Sequence, residues 1–146
     1  MIQILEEPVG EAYRSLISLA FKICDELILV KRDQLPLNES GQDLITQLRP
    51  YTRIIRKQES WPGTALFGHF ADVYYLPCTE MVKDILLSRT TGLYDWLQPD
   101  LLEDLCFYKN QSEWLVTVSH EKRGYLNIED RSEILELREI EELLFY

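Results

Sequence analysis

Eight apolar side chains near the N-terminus, Tyr13, Leu16, Ile17, Ala20, Phe21, Cys24, Leu27 and Ile28, recur at steps of three and four. This spacing constrains the chain most, because it gathers them on one stripe of an α-helix, which must then be buried against something. Pro8 suits the first turn of that helix, where a missing N–H leaves no bond unmade. Near Leu27–Lys31 the branched side chains change the preference, and the spacing predicts a short β segment there.

What the helix packs against is written further along. Asp33 to Gly41 carries Pro36, Asn38, Ser40 and Gly41 and reads as a loop. A short helix follows through Leu44, Ile45 and Leu48, ended by Pro50. Tyr51 to Lys57 reads as a strand, Trp61-Pro62-Gly63-Thr64 as a turn, and Phe70 to Leu76 as a second strand stopped by Pro77. Thr79 caps a helix running to about Arg89, with Val82, Ile85 and Leu86 as its buried stripe and Gly92 as its end. Leu93 to Leu97 makes an apolar turn before Pro99.

The last third reads as a meander of Leu105–Lys109, a turn over Asn110–Glu113, Trp114–His120 and Gly124–Ile128. The tail from Glu129 to Tyr146 reads as a helix with Leu137, Ile140 and Leu144 on one face. An even loop puts Leu105, Phe107, Val116 and Val118 toward one core, with Cys106 and Thr117 facing away. Helices and strands come in runs that do not alternate. The expected fold is therefore α+β, a mainly antiparallel sheet packed against the N-terminal helix and further helices, in a single domain over 1–146.

With 15 basic and 25 acidic residues, the chain has a net charge of −10. Binders of nucleic acid and of anionic membranes draw affinity from Lys and Arg, so neither partner is expected. Arg49, Arg53, Arg56 and Lys57, with Tyr51 among them, form one locally basic run; it reads as a surface patch or as a match for the acidic tail. A partner protein with a basic contact surface would be attracted and steered in. Leu16 to Val30 is broken by Lys22, Asp25 and Glu26, too charged for a membrane span. Met1 to Pro8 lacks the basic region of a signal peptide, and Cys24, Cys78 and Cys106 are odd in number and scattered. A cytoplasmic protein is expected.

Catalytic patterns fare poorly. Cys106 and His120 fall on opposite faces of the predicted hairpin, whereas a nucleophile and its base need contact at about 3 Å. His69 and His120 belong to no metal-binding motif, and neither GxxxxGK[ST] nor GxGxxG occurs. No cofactor and no metal are expected. His120 reads as a rim residue bonded to Glu103 or to backbone. Asp95, Asp100, Glu103 and Asp104 cluster around Trp96, an arrangement that serves either a sugar-type site or a solvated loop.

Several blocks carry a resemblance: Trp61-Pro62-Gly63-Thr64, Val73-Tyr74-Tyr75, Tyr94-Asp95-Trp96-Leu97-Gln98-Pro99, Glu103-Asp104-Leu105-Cys106-Phe107-Tyr108, Trp114-Leu115-Val116 and His120-Glu121. Together they resemble a family of small stand-alone bacterial proteins, some of which look like immunity or antitoxin partners of secreted toxins. The resemblance implies a non-enzymatic protein that binds another protein, and it carries over no catalytic residue. For such a contact the expected residues are Trp96 as the anchor, with Asp95, Asp100, Glu103 and Glu139. The alternative is a small enzyme or ligand-binding domain using the Asp95–Asp104 cluster with Trp61, Trp96 and His120.

Overall fold

A computed structural model describes residues 1–146. Its strands are β1 (Ile2–Gln3), β2 (Glu26–Arg32), β3 (Ile54–Gln58), β4 (Ser60–Trp61), β5 (Thr64–Ala65), β6 (Ala71–Pro77), β7 (Glu103–Lys109), β8 (Ser112–Val118) and β9 (Arg123–Leu126). The apolar stripe forms α1 (Glu11–Ile23), with Tyr13, Leu16, Ile17 and Ala20 fully buried. Gly10, at φ 59°, swings the chain into it, a left-handed conformation that glycine adopts without strain. The last two members of the stripe, Leu27 and Ile28, belong to β2.

Short polar residues start the other helices by accepting their free N–H groups. Asn38 opens α2 (Glu39–Leu48) by accepting from Gly41 N–H at 3.0 Å. Thr79 opens α3 (Glu80–Arg89), and Asp130 opens α4 (Arg131–Arg138). Two expectations need correction here. α3 ends at Arg89 as expected, but its C-cap is Thr90, where Gly92 was expected to end it. The tail is helical only to Arg138; Leu144 is exposed, Leu143 is buried in its place, and Phe145 bridges Ile4 in extended form.

Seven strands form one sheet in the order β1-β9-β8-β7-β2-β6-β3, and each adjacent pair is antiparallel. The mixed α+β class and the mainly antiparallel sheet are as the sequence predicts. α1, α2, α3 and α4 all bury side chains in one large core on one face of the sheet. The opposite face carries a smaller cluster of Ile28, Val30, Ala71, Val73, Cys106 and Val116. The β4–β5 hairpin lays Trp61 over it, and Tyr75, Tyr108 and Tyr125 pack against its rim.

The β7–β8 hairpin corrects a further expectation. Its turn is two residues, Asn110 and Gln111, both at positive φ (49° and 69°), the backbone a tight hairpin requires. The register then slips, so Phe107 pairs with Leu115, where even spacing would give Trp114. The extra residue is a β-bulge, which reverses the facing of everything after it. Val116 therefore lies beside Cys106 in the small cluster, while Leu105 and Phe107 stay in the large core. Thr117 is buried too, its hydroxyl donating to Leu105 O at 2.7 Å.

Leu16 is fully buried at the centre of the α1 stripe. Leu16→Ala should lower stability by about 2–5 kcal/mol, the range for a core leucine whose cavity cannot collapse. Urea denaturation of both proteins measures it, and a change below about 1 kcal/mol would remove α1 from the core.

Candidate functional site

The segment from Leu93 to Asp104 joins α3 to the sheet and carries most of the sequence-predicted site residues. It begins as a short 3-10 turn over Leu93–Asp95 and holds a cis Gln98–Pro99 peptide. Its side chains divide into an inward set and an outward set.

The inward set surrounds Arg32, at the end of β2. Glu103 and Asp104 are adjacent in sequence, yet both are buried, at 2% and 0% exposure. A bulge makes this possible. The β2–β7 register slips between Ile28 and Val30, and Asp104 sits at φ 52°, a left-handed conformation that Asp tolerates better than most residues. Asp104 then accepts from Trp61 Nε1–H and from Ser119 N–H, each at 3.0 Å. Arg32 Nη2 stands 3.8 Å from Asp104 Oδ2, Arg32 Nε 3.7 Å from Glu103 Oε1, and its guanidinium lies 5.5 Å from the Trp61 ring centre. Gln98 ties the cluster down. Its N–H donates to Glu103 Oε2 at 2.6 Å, and its side-chain oxygen accepts from Arg32 N–H at 2.6 Å.

Burial dominates the chemistry of this cluster. It pushes the Glu103 carboxyl up to about 7, helped by the neighbouring Asp104 charge and opposed by the Gln98 N–H and Arg32. Burial also raises all three thiols, with Cys78 near 12 and Cys24 and Cys106 higher still. Each remains a neutral thiol at physiological pH, and a thiol is a poor nucleophile. Cys106 is fully buried, whereas His120 is exposed on a short 3-10 turn beyond β8.

The outward set lines a cleft of about 570 Å³ with Glu7, Arg89, Asp95, Gln98, Asp100 and Lys122 among its walls. Asp95 accepts from the Thr90 hydroxyl at 2.5 Å, Asp100 from the Asn38 amide, and Glu7 from Tyr94 N–H at 2.8 Å. Glu7 also borders a second depression of about 430 Å³, with Glu6 and Glu142. Beside that lies a groove of about 650 Å³ between α1 and α4. Glu11, Glu136, Glu139 and Glu141 line it over Leu19 and Ile140, and its one cation, Lys22, is paired with Glu136 at 2.7 Å. Carboxylates outnumber cations in each of the three depressions.

The sequence-predicted contact residues are thus separated. Asp95, Asp100 and Glu139 are exposed in these depressions. Trp96 and Glu103 are corrections, because neither presents a side chain to a partner. Trp96 is fully buried, and its Nε1–H donates to the Tyr13 hydroxyl at 3.1 Å. The alternative grouping is divided as well. Trp61 meets Asp104, Trp96 points into the opposite core, and His120 lines neither cluster nor cleft. Arg32 and Gln98 escaped the sequence reading. The one signal was an arginine at the end of a strand whose centre, Leu27 to Val30, is wholly apolar, which calls for a buried acid elsewhere in the chain.

No three His, Cys, Asp or Glu side chains converge in a way that would hold a metal ion, and no helix is long and apolar enough to cross a membrane. No family model, curated protein or solved structure matches the chain.

Proposed function

We propose that this protein is non-enzymatic and acts by binding another protein with a basic contact surface, in the manner of an immunity or antitoxin partner. The observation that carries the reading is the groove between α1 and α4, where Glu11, Glu136, Glu139 and Glu141 surround Leu19 and Ile140, together with the exposed Asp95 and Asp100 of the neighbouring cleft. The groove combines carboxylate walls with an apolar floor, the pairing that lets one surface both steer a cationic partner and bury it. The charge of −10 works in the same direction at longer range. Three unpaired thiols suit a reducing compartment such as the cytoplasm.

Mixing the purified chain with the products of the genes flanking its own tests the reading. A complex should form whose association slows about tenfold at low salt in the Glu139→Lys/Glu141→Lys variant, with a smaller effect at high salt. Both positions are exposed, so the melting temperature should stay unchanged. An association rate indifferent to these reversals would remove the acidic groove from the reading.

One observation favours a second reading, a small enzyme or ligand-binding domain. The 570 Å³ cleft gathers the carboxylates of Glu7, Asp95 and Asp100 around Tyr94 and Leu97, a few polar groups converging over apolar side chains. A small molecule that raises the melting temperature of the wild type but not of Asp95→Asn/Asp100→Asn, with no protein complex found, would replace the first reading with this one.

A further inference from the structure

The large sheet ends differently on its two sides. Beyond β1 the C-terminal residues run alongside, with Gln3 N–H donating to Tyr146 O at 2.8 Å and Tyr146 N–H to Gln3 O at 2.7 Å. At the other end β3 has β6 on one side and nothing on the other. Apart from that ladder, no backbone group of Ile54–Gln58 bonds to the rest of the chain. A strand left this way presents a row of unmade hydrogen bonds.

Bulges, prolines and very short length are the usual means of blunting such an edge. β3 has no proline and holds an unbroken register with β6 over five pairs, Ile54↔Tyr75 to Gln58↔Ala71. Ile54 and Ile55 are 45% and 49% exposed. As neighbours on a strand they offer one apolar side chain on each face of the sheet. The remaining device is charge, and here it is of one sign. Arg49, Arg53, Arg56 and Lys57 are all exposed, with no acid among them along the chain. The basic run does not meet the acidic tail, whose Glu133 and Glu136 pair with Lys109 and Lys22 instead.

That charge discriminates among occupants. Two β3 strands meeting antiparallel about Arg56 would set Arg56 against Arg56. Centred on Ile55, they would set Arg53 against Lys57. Like charges directly opposite are destabilising, so a second copy is disfavoured. We infer that β3 receives an extended acidic segment of another protein as an eighth strand. Running antiparallel, such a segment would place acids opposite Lys57 and Arg56 and apolar residues opposite Ile55 and Ile54. Lys57 now pairs with Asp33 and Asp72, at 3.0 and 2.7 Å, and Arg53 with Glu26 at 3.3 Å. Exposed pairs of this kind contribute little, so a new carboxylate can replace them readily. Arg56 lies 5.8 Å from the Tyr75 ring centre, leaving its outer nitrogens to a ligand. The net charge of the whole molecule opposes an acidic segment only weakly, since charges beyond about 8 Å are screened at physiological salt. This surface is separate from the acidic groove and stands or falls independently of it.

Titration of the isotope-labelled chain with two synthetic peptides, Thr-Glu-Glu-Val-Val-Thr and Thr-Lys-Lys-Val-Val-Thr, both with blocked ends, tests the inference by NMR. The acidic peptide should shift the amides of Ile54 to Gln58, slow their exchange, and bind about tenfold more tightly than the basic one. In R56Q/K57Q the preference should disappear while the fold is kept, since only exposed pairs are lost. Should that variant misfold, the two-peptide comparison on the wild type still decides. Equal binding of the two peptides, or perturbations away from β3, would overturn the inference. Concentration-dependent self-association through β3 would overturn it in favour of a second copy, and tighter binding of an oligothymidylate there in favour of nucleic acid.

Discussion

Trp96→Ala should destabilise the protein by about 3–5 kcal/mol, the range for removing a fully buried large aromatic. The indole is wholly enclosed, and its N–H satisfies the Tyr13 hydroxyl at 3.1 Å. The substitution leaves a cavity and also orphans a buried hydroxyl, whose desolvation is then uncompensated. Burial already pushes the Tyr13 phenol up to about 12. Trp96→Phe keeps most of the ring and loses the hydrogen bond, so its cost should be smaller. Urea denaturation of the three proteins gives the comparison. An alanine variant of near wild-type stability that has lost partner binding would show instead that Trp96 reaches a surface.

The second large effect depends on pH. Glu103 titrates near 7 in the fold against an ordinary value of 4.5, so between those values the folded chain holds a proton that the unfolded chain has released. The state that binds more protons loses ground as pH rises. This carboxyl therefore favours folding fully below about pH 4.5, and its contribution declines until about pH 7, where about 3 kcal/mol has been lost. Glu103→Gln keeps an oxygen for the Gln98 N–H and cannot ionise. The difference in stability between wild type and variant should change by about 3 kcal/mol from pH 4.5 to pH 8, with the variant gaining on the wild type at the alkaline end. Denaturation curves for the pair across that range measure it. Parallel profiles would mean that Arg32 neutralises the carboxylate and that burial does not govern it.

The same cluster shows how far residue patterns reach. β2, β6, β7, β8 and β9 were all legible, within about two residues at their ends, because alternation and branched side chains are properties of short stretches. The caps at Asn38, Thr79 and Asp130 lie next to the helices they begin and depend on bonds two to three residues away. By contrast, Glu103 and Asp104 look like solvated loop acids in sequence. Their partners Arg32, Trp61 and Ser119 are 71, 43 and 15 residues distant from Glu103 or Asp104.

What the sequence determined by itself was therefore the set of local elements, their mixed class, and a charge that favours basic partners. The stripe from Tyr13 onward demanded a sheet to cover it, and the meander from Leu105 supplied one. Only the tertiary structure decided which side chains reach solvent. A bulge at Trp114 turned Val116 to the opposite face, and a left-handed residue at Asp104 turned an acid inward. Either shift involves one residue, and neither changes the hydrophobic pattern that local reading depends on. The free edge at β3 was likewise decided by strand order. β3 carries two apolar side chains among five residues, so an edge position, which leaves Ile54 and Ile55 about half exposed, costs it little burial.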